Sequence, residues 1–256
     1  LISSAWFDPE TLPIAEAAIG ELDLDALHGG RGSEILLATI AHHESRLGLH
    51  REHGIELARR ALAPGNLLVS GSIAFFYAVV TLFRAGLLDE AVPSLDQEVA
   101  QARRRGDIFN LAFLLTWRGG CQTERGDPRA AVADLREAIE LSVAHGTRLN
   151  WPYNIGFLAY ALLEQGEADE AARVIDRGGF PEQLPLDQVH LVWFRLHRAR
   201  VRIETGSPER GVEELLQVGE TVRLLPFDNP GTAPWRSWAA EGLRLLDRND
   251  EARVLA

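Results

Sequence analysis

The sequence predicts an all-α fold, a solenoid of stacked antiparallel helix hairpins with a repeat of roughly 40 residues, from two observations. A turn centred on glycine returns at a fixed interval, since Gly86, Gly126, Gly166 and Gly206 are equally spaced and Asp247 opens a fifth copy one position later than that spacing would place it. The residues around these turns also repeat in size. Self-similarity at roughly 20 to 50 residues is typical of stacked-repeat proteins, so the period takes precedence over any catalytic motif.

Side chains at fixed distances from each hinge glycine share their size. The column five residues after the hinge is small and the column nine after it is aliphatic; nine before it the residues are large, and seven before it they are mostly small. In that order the columns are Ala91, Ala131, Ala171, Gly211 and Ala252; Leu95, Leu135, Ile175 and Leu215; Tyr77, Trp117, Phe157, His197 and Trp238; Val79, Gly119, Ala159, Ala199 and Ala240. Large residues opposite small ones suit two helices that cross closely, which predicts a helical hairpin for each unit.

The segment 1–30 is predicted to form an N-terminal helical cap or linker, with Pro13 in the first turn of a helix that ends before Gly29. The repeat domain is predicted over 31–256 as five to six helix pairs, the last one truncated. Ser33 is predicted to cap its first helix, and a second helix is expected near 50–62.

Further along the chain, each hinge glycine is predicted to adopt the left-handed conformation just past a helix end, and Pro128 and Pro208 to lie in the first turn of the next helix. Helix 168–177 is expected to be short, before a longer connection at 178–186. The predicted pairs are 72–85 with 88–104, 108–125 with 128–145, 152–165 with 168–177, 187–205 with 208–225, and 234–247 with 249–256.

Composition excludes several function classes. The net charge of −11 argues against nucleic-acid binding by this chain's own surface, which needs a concentrated basic patch. The apolar run Ile73–Phe83 is too short to span a membrane, where about 20 residues are needed. The single Cys121 has no partner for a disulfide, so a reducing, cytoplasmic setting is expected and a buried role for the thiol is favoured over a catalytic one.

The hinge pattern resembles the tetratricopeptide repeat, although the period is longer here than the roughly 34 residues typical of that repeat. Several stretches also resemble the C-terminal helical-repeat region of large ATP-binding transcription regulators of the LuxR type, a group that includes the maltose-regulon activator. The most distinctive is Asn229-Pro-Gly-Thr-Ala-Pro-Trp-Arg-Ser237; the others are Leu57–Leu62, Arg103–Asp107, Gly126–Ala131 and Gly179–Pro185. The resemblance implies a right-handed superhelix that serves as sensor and coupling arm.

The same resemblance implies two modules outside this chain, an N-terminal nucleotide-binding switch and a C-terminal helix-turn-helix that binds promoter DNA. Neither appears in the sequence. There is no Gly-x-x-x-x-Gly-Lys-Ser/Thr phosphate loop, and all 26 basic residues are arginine, so that loop's lysine is missing as well. ATP and DNA binding are therefore not assigned to these residues, and no cofactor is expected.

Three groups of polar residues have simpler interpretations than chemistry. The histidines 42, 43, 50 and 53 with Glu44 lack recognised zinc spacings, so no metal site is predicted. Carboxylate pairs such as Asp89-Glu90 recur at the start of each second helix, where they complement the helix dipole, so no catalytic residues are predicted. The arginines 195, 198, 200 and 202 are expected to be mostly solvated or paired with carboxylates such as Glu204, although one directed inward would bind an anion through a bidentate fork.

In tetratricopeptide arrays the first helices of successive units line the concave face. The resemblance implies the same role for residues at fixed distances before each hinge glycine of this chain. The implied face is aromatic with a few charges, as is typical of ligand or peptide sites. The candidate binding residues are Phe76, Val80, Phe83, Arg84, Phe113, Tyr153, Tyr160, Glu164, Trp193, Arg200 and Glu204. The alternative is that these side chains only pack against neighbouring hairpins or absent domains.

The sequence thus predicts a non-catalytic sensor and protein-interaction domain of a LuxR-type regulator, whose partner is a protein, a peptide, a small effector or the parent's switch module. Two alternatives stay open. One is a scaffold for oligomerisation or recruitment without a small-molecule site. The other is the repeat region of a signalling protein with a cyclase or kinase-type module.

Overall fold

The computed structural model describes residues 12–27, 29–63, 67, 73–148, 150–224 and 229–255, and all regular structure in these ranges is helical. The predicted all-α class is confirmed. By compactness the described residues form two units, one of 12–101 with 229–232 and one of 102–224 with 233–255. The predicted boundary at residue 30 rests on the repeat pattern and stays a prediction. No helix in these ranges has the length and apolar character of a membrane span.

The described part of the first unit holds α1 (Leu12–Gly20), α2 (Arg31–Leu47), α3 (Arg51–Leu62), α4 (Ile73–Arg84) and most of α5 (Leu88–Arg105). Helix α2 packs on both α3 and α4, and α3 packs on α4. Their shared core is apolar and at most 3% exposed at Leu37, Ile40, Leu57, Phe75 and Leu82. Burial of this face, rather than helix propensity alone, stabilises the three helices.

Two predictions for this unit have opposite outcomes. Pro13 does lie in the first turn of its helix, where its missing N–H costs nothing. The prediction that Ser33 caps the next helix is wrong, because that helix begins at Arg31 and Gly30 stands at the cap position without a side-chain bond.

The described part of the second unit contains eight further helices. They are α6 (Ile108–Glu124), α7 (Pro128–Ala144), α8 (Trp151–Glu164), α9 (Ala168–Arg177), α10 (Val192–Glu204), α11 (Pro208–Leu224), α12 (Trp235–Leu245) and α13 (Asn249–Leu255). Consecutive helices pack on one another, and α8 also packs on both α6 and α10. The predicted bounds agree to within two residues except at α10, which starts late because Val189–Leu191 first form a 3-10 turn.

The hinges have the predicted backbone conformation. Gly86, Gly126, Gly166 and Gly206 have φ of 74°, 88°, 80° and 87°. After each glycine the next N–H donates back to a carbonyl five residues earlier, as Asp127 does to Gln122 at 2.8 Å, which is the bond of a Schellman helix end. In the last copy Asp247 takes the same role with φ of 59°. The spacing and the turn chemistry therefore agree.

The small columns lie at close helix crossings. A Cβ at Gly119 would come 2.6 Å from Leu135 Cγ, and one at Gly211 would come 2.5 Å from Ile203 Cγ1 and 2.7 Å from the Ala199 carbonyl oxygen. Glycine at these positions lets the two helices of one hairpin approach each other. The predicted pairing of large and small residues is therefore found in the α6–α7 and α10–α11 hairpins.

Candidate functional site

In the second unit, a continuous row of aromatic rings runs across α6, α8, α10 and α12, the first helix of each helix pair. We call it the aromatic row. Its members are Phe113 and Trp117 on α6, Tyr153, Phe157 and Tyr160 on α8, Trp193 and His197 on α10, and Trp238 on α12. Centroids of neighbouring rings lie between 4.8 Å (Tyr160 and His197) and 6.4 Å (Phe113 and Trp117), the range of favourable aromatic pairs.

The repeat explains why these rings meet. Phe113, Tyr153 and Trp193 stand thirteen residues before their hinge, and the next large column stands nine before it. Residues four apart share one helix face, so each first helix contributes rings to the same side. The contacts Trp117–Phe157 at 5.8 Å and Phe157–His197 at 5.2 Å join one helix to the next.

His197 lies at the centre of the row and is 1% exposed. It stacks on Tyr160 with an interplanar angle of 10°. Its Nδ1 has no hydrogen-bond partner among the residues that the structure describes, and the Cβ of any larger residue in place of Gly156 would lie 3.2 Å from that atom. Burial lowers the pKa of His197 to about 3, because the charged ring would lose its hydration. The histidine is therefore neutral and acts as an aromatic packing residue.

Charged side chains border the row, and we call them the charged rim: Glu124, Glu164, Arg200, Glu204 and Glu241. Arg200 pairs with Glu241 and, at 3.3 Å, with Glu204, and its guanidinium carbon lies 5.9 Å from the Trp238 ring centroid. All five belong to the columns six or two residues before a hinge.

Tyr160 connects the row to the acidic part of the rim. Partial burial and then the nearby Glu124 and Glu164 raise the pKa of its phenol, whose hydroxyl donates to Glu164. The pKa of Glu124 is also raised, first by partial burial of its carboxyl and then by Glu164. The two carboxylates therefore repel each other beside the ring, and neither has a cationic partner among the described residues.

The structure brings together the predicted site residues of the second unit. Phe113, Tyr153 and Tyr160 are half-buried, Arg200 is partly exposed, and Glu164 and Glu204 are exposed, whereas Trp193 is 6% exposed. Sequence reasoning did not include Trp117, Phe157, His197, Trp238 and Glu241. The sequence analysis places the first four in a packing column only. The signal that could have added them is their position four residues after the column of Phe113 and Tyr153, on the same helix face.

The predicted site residues of the first unit are less accessible. Phe76, Val80 and Phe83 of α4 are 6%, 4% and 7% exposed. Half-buried Arg84 lies 3.3 Å from both His42 Nε2 and Ser45 Oγ. Little of the three apolar side chains is available to a ligand, which fits the packing alternative for α4.

The histidine cluster is spread over several partners. His53 Nδ1 lies 2.8 Å from Glu44, His43 lies 3.7 Å from Glu16, and burial followed by Arg84 and Arg46 lowers the pKa of His42. Within the described ranges no three histidine, cysteine, aspartate or glutamate side chains gather as a metal ion would require.

Three arginines of α10 hold the connection that precedes it, and with Glu214 of α11 we call them the arginine clasp. Arg198 contacts both carboxylate oxygens of Glu214, with Nε 2.8 Å from Oε1 and 3.0 Å from Oε2 and Nη2 2.5 Å from Oε1, and Arg202 adds a bond of 2.9 Å to Oε2. Arg195 donates to the carbonyls of Leu184 and Pro185.

The prediction that these arginines are solvated or paired with carboxylates is confirmed for pairing, since Arg198, Arg200 and Arg202 each pair with a carboxylate. Arg195 and Arg198 are 1% and 4% exposed. Arg198 and Arg202 share the partner Glu214, and Arg200 pairs with Glu204 as expected. Arg198 is the predicted arginine directed inward, but the anion that it binds is the carboxylate of Glu214 in this same chain. Beside the clasp lies a polar cavity of about 430 Å³, lined mainly by charged side chains of α10, α11 and the connection.

The beginning of the distinctive stretch, residues 229–232, belongs to the first unit and packs on its helices. The Asn229 amide donates to the Ser45 carbonyl near the end of α2, and its Oδ1 accepts from the Gly231 N–H at 2.9 Å. A Cβ at Gly231 would lie 2.6 Å from the Arg84 carbonyl oxygen. The side chain of Arg51 donates to the Ala85 carbonyl at 2.7 Å, so the C-terminal carbonyls of α2 and α4 both have partners.

Comparison with known proteins does not identify a family. No protein-family model matches the chain, and no curated protein matches it significantly. The family and the function of the chain are therefore argued from its residues and geometry.

Proposed function

We propose that this chain is the non-catalytic sensor and protein-interaction domain of a LuxR-type, ATP-dependent transcription regulator. In this proposal its hairpins continue as a right-handed solenoid, and its concave face binds an effector, a peptide or the parent's switch module. The observation that supports the proposal is the aromatic row with its charged rim, on α6, α8, α10 and α12 of the second unit.

The composition of this surface supports binding. Half-buried rings offer large apolar area at a small entropic cost, and a few convergent charges supply orientation, a combination typical of ligand and peptide sites. The rings beneath are packed against each other, so the surface is organised before a partner arrives, which lowers the cost of association.

Two properties of the residues favour a non-catalytic role. The Cys121 thiol is fully buried and its pKa is raised by that burial, so it has little thiolate at neutral pH. His197 is neutral and enclosed within the row, which removes it as a general base.

The scaffold alternative has an observation of its own. Phe76, Val80, Phe83 and Trp193 are buried, so a good part of the predicted face serves the fold itself. A domain whose face is filled by its own side chains would act through self-association or recruitment, as a scaffold does, whether its neighbours are transcriptional or of the cyclase or kinase type.

The experiment is a binding screen on the chain with a pool of displayed 12-residue peptides, a panel of metabolites, and the nucleotide-binding module of the parent gene. Hits are titrated by calorimetry against the wild type, the double variant Tyr160→Ala/Arg200→Ala and the exposed control Arg129→Ala. We expect at least one hit whose affinity falls about tenfold in the double variant and stays unchanged in the control, since about 1.4 kcal/mol corresponds to tenfold.

No saturable hit from any of the three sources, together with a defined oligomer by light scattering, would favour the scaffold. A hit that both variants bind as tightly as the wild type would place the interaction elsewhere on the chain and contradict the proposal.

A further inference from the structure

The surface around Tyr160 has a charge imbalance that selects its partner. The charged rim contains four carboxylates and one guanidinium, and Arg200 already pairs with Glu204 and Glu241. Glu124 and Glu164, beside Tyr160, form no ion pair within the described part of the chain. A positively charged group placed there would relieve the repulsion of the two carboxylates.

The rings favour the same kind of group. The guanidinium of Arg200 lies over Trp238 at 5.9 Å, so this surface already accommodates one cation against an aromatic face. The ring of Tyr160, 5.6 Å from that of Trp238, lies near the charge of Arg200 and beside the carboxylates of Glu124 and Glu164. A cation over an aromatic face next to carboxylates gains from both interactions.

The extent of the row points to an elongated partner. Its rings span four helices, α6, α8, α10 and α12, and packed helices lie roughly 8–10 Å apart. A single small cation would contact only one part of such a surface, whereas a peptide segment would cover several rings. The net charge of −11 would also attract a basic segment at long range.

We propose that the aromatic row docks a basic peptide segment of a partner protein, with an arginine or lysine side chain entering between Tyr160 and the carboxylates of Glu124 and Glu164. This inference rests on the proposed binding function and adds the chemistry of the partner.

The test uses a fluorescein-labelled (Ser-Arg)4 peptide and its isosteric (Ser-citrulline)4 counterpart, which keeps the shape and loses the charge. Binding to the full chain is measured by fluorescence anisotropy. The variants are Glu124→Gln/Glu164→Gln and the matched control Glu140→Gln/Glu209→Gln, whose carboxylates are exposed on α7 and α11. Both double variants remove two negative charges, so any effect of net charge alone is the same in each.

We expect the arginine peptide to bind, the citrulline peptide to bind at least tenfold more weakly, and the Glu124/Glu164 variant to lose about tenfold in affinity while the control stays within twofold of the wild type. Melting curves by circular dichroism check that both variants are folded. A variant with Tyr160→Phe, which keeps the ring, should retain most of the affinity.

Three outcomes would overturn the inference: equal losses in both double variants, which would indicate attraction to net charge only; equal binding of the citrulline peptide; or displacement by spermidine at an affinity equal to that of the peptide, which would assign the surface to a small polycation. If selected 12-residue peptides instead bind at Tyr160 and Arg200 without enrichment in arginine or lysine, the binding function stands and this inference fails. If no peptide or effector binds at all, the binding function fails with it.

Discussion

At the scale of single residues, His197 shows how a polar side chain is retained inside an aromatic cluster. It is 1% exposed and stacked on Tyr160 at 4.8 Å, and no described residue forms a hydrogen bond with its Nδ1. Burying an unpaired ring nitrogen costs free energy that an apolar ring would avoid. The sequence predicted that a large residue stands at this offset, but burial and protonation depend on neighbours from three helices, which a single column does not reveal.

The burial of His197 makes stability depend on pH in a defined direction. Its folded-state pKa of about 3 lies below the usual value of 6.5, so below pH 6.5 the unfolded chain binds a proton that the folded chain does not. Stability from this group is fully present above about pH 6.5 and is lost as the pH falls towards 3. Between pH 7.5 and pH 5 we expect a loss of about 2 kcal/mol from this residue.

The variant His197→Phe keeps a ring in the stack and removes the titrating group. Urea unfolding at both pH values should show that the variant loses about 2 kcal/mol less than the wild type on acidification. The exposed His145→Gln serves as the control and should keep the wild-type difference, because His197 is still present. Equal losses in all three proteins would mean that His197 is not held neutral.

At the scale of elements, the hinges and the position of the connection 178–186 were predictable, but the contacts that hold this connection were not. Glycines at a fixed interval indicate helix ends wherever the chain must adopt a left-handed conformation, and the structure has these hinges where they were predicted. The contacts of the connection 178–186 have no such signature. Its carbonyls at Pro181, Glu182 and Leu184 are held by side chains of α10, and the carboxylate of Glu214 that completes the clasp stands sixteen residues beyond Arg198.

The arginine clasp should therefore determine the stability of this connection and of the contact between α10 and α11. In Arg198→Met, Glu214 keeps only the bond to Arg202 and the carbonyls of Pro181 and Glu182 lose their donor. Breaking a buried pair by removing one partner costs about 3–5 kcal/mol, so we expect a loss near the lower end because Arg202 remains.

Urea unfolding measures this loss, and limited proteolysis should show faster cleavage within 178–188. The matched control is Arg210→Met, an exposed arginine beside the same cavity, which should change stability by no more than about 0.5 kcal/mol. Similar effects for the two variants would show that the fork of Arg198 has no special role.

At the scale of the whole chain, the contact between Asn229 and Ser45 could not be predicted from the repeat period. Asn229 bonds to the carbonyl of Ser45, 184 residues away in sequence, and so belongs to the first compact unit. Periodicity specifies which residues share a helix face and which helices are neighbours. It does not specify which helices an irregular segment contacts, because that depends on which helix ends have unpaired carbonyls.

This contact gives Asn229 and Gly231 a structural role in the first unit. The asparagine amide pairs with a C-terminal carbonyl of α2, and glycine is required at 231 because a side chain would collide with the Arg84 carbonyl 2.6 Å away. We therefore expect Asn229→Ala to destabilise the first unit by about 1 kcal/mol, the net contribution of one hydrogen bond. Gly231→Ala should cost more, about 1–3 kcal/mol, because the backbone itself must move.

Hydrogen exchange monitored by mass spectrometry can locate this effect. Both variants should exchange faster in the last turns of α2 and α4, where the segment packs, and Gly231→Ala should show the larger change. The control Gln97→Ala removes an exposed amide from α5 and should leave exchange in the last turns of α2 and α4 unchanged. If Asn229→Ala and Gln97→Ala behave alike, the long-range contact does not stabilise these helix ends, and the small side chain at 231 needs another cause.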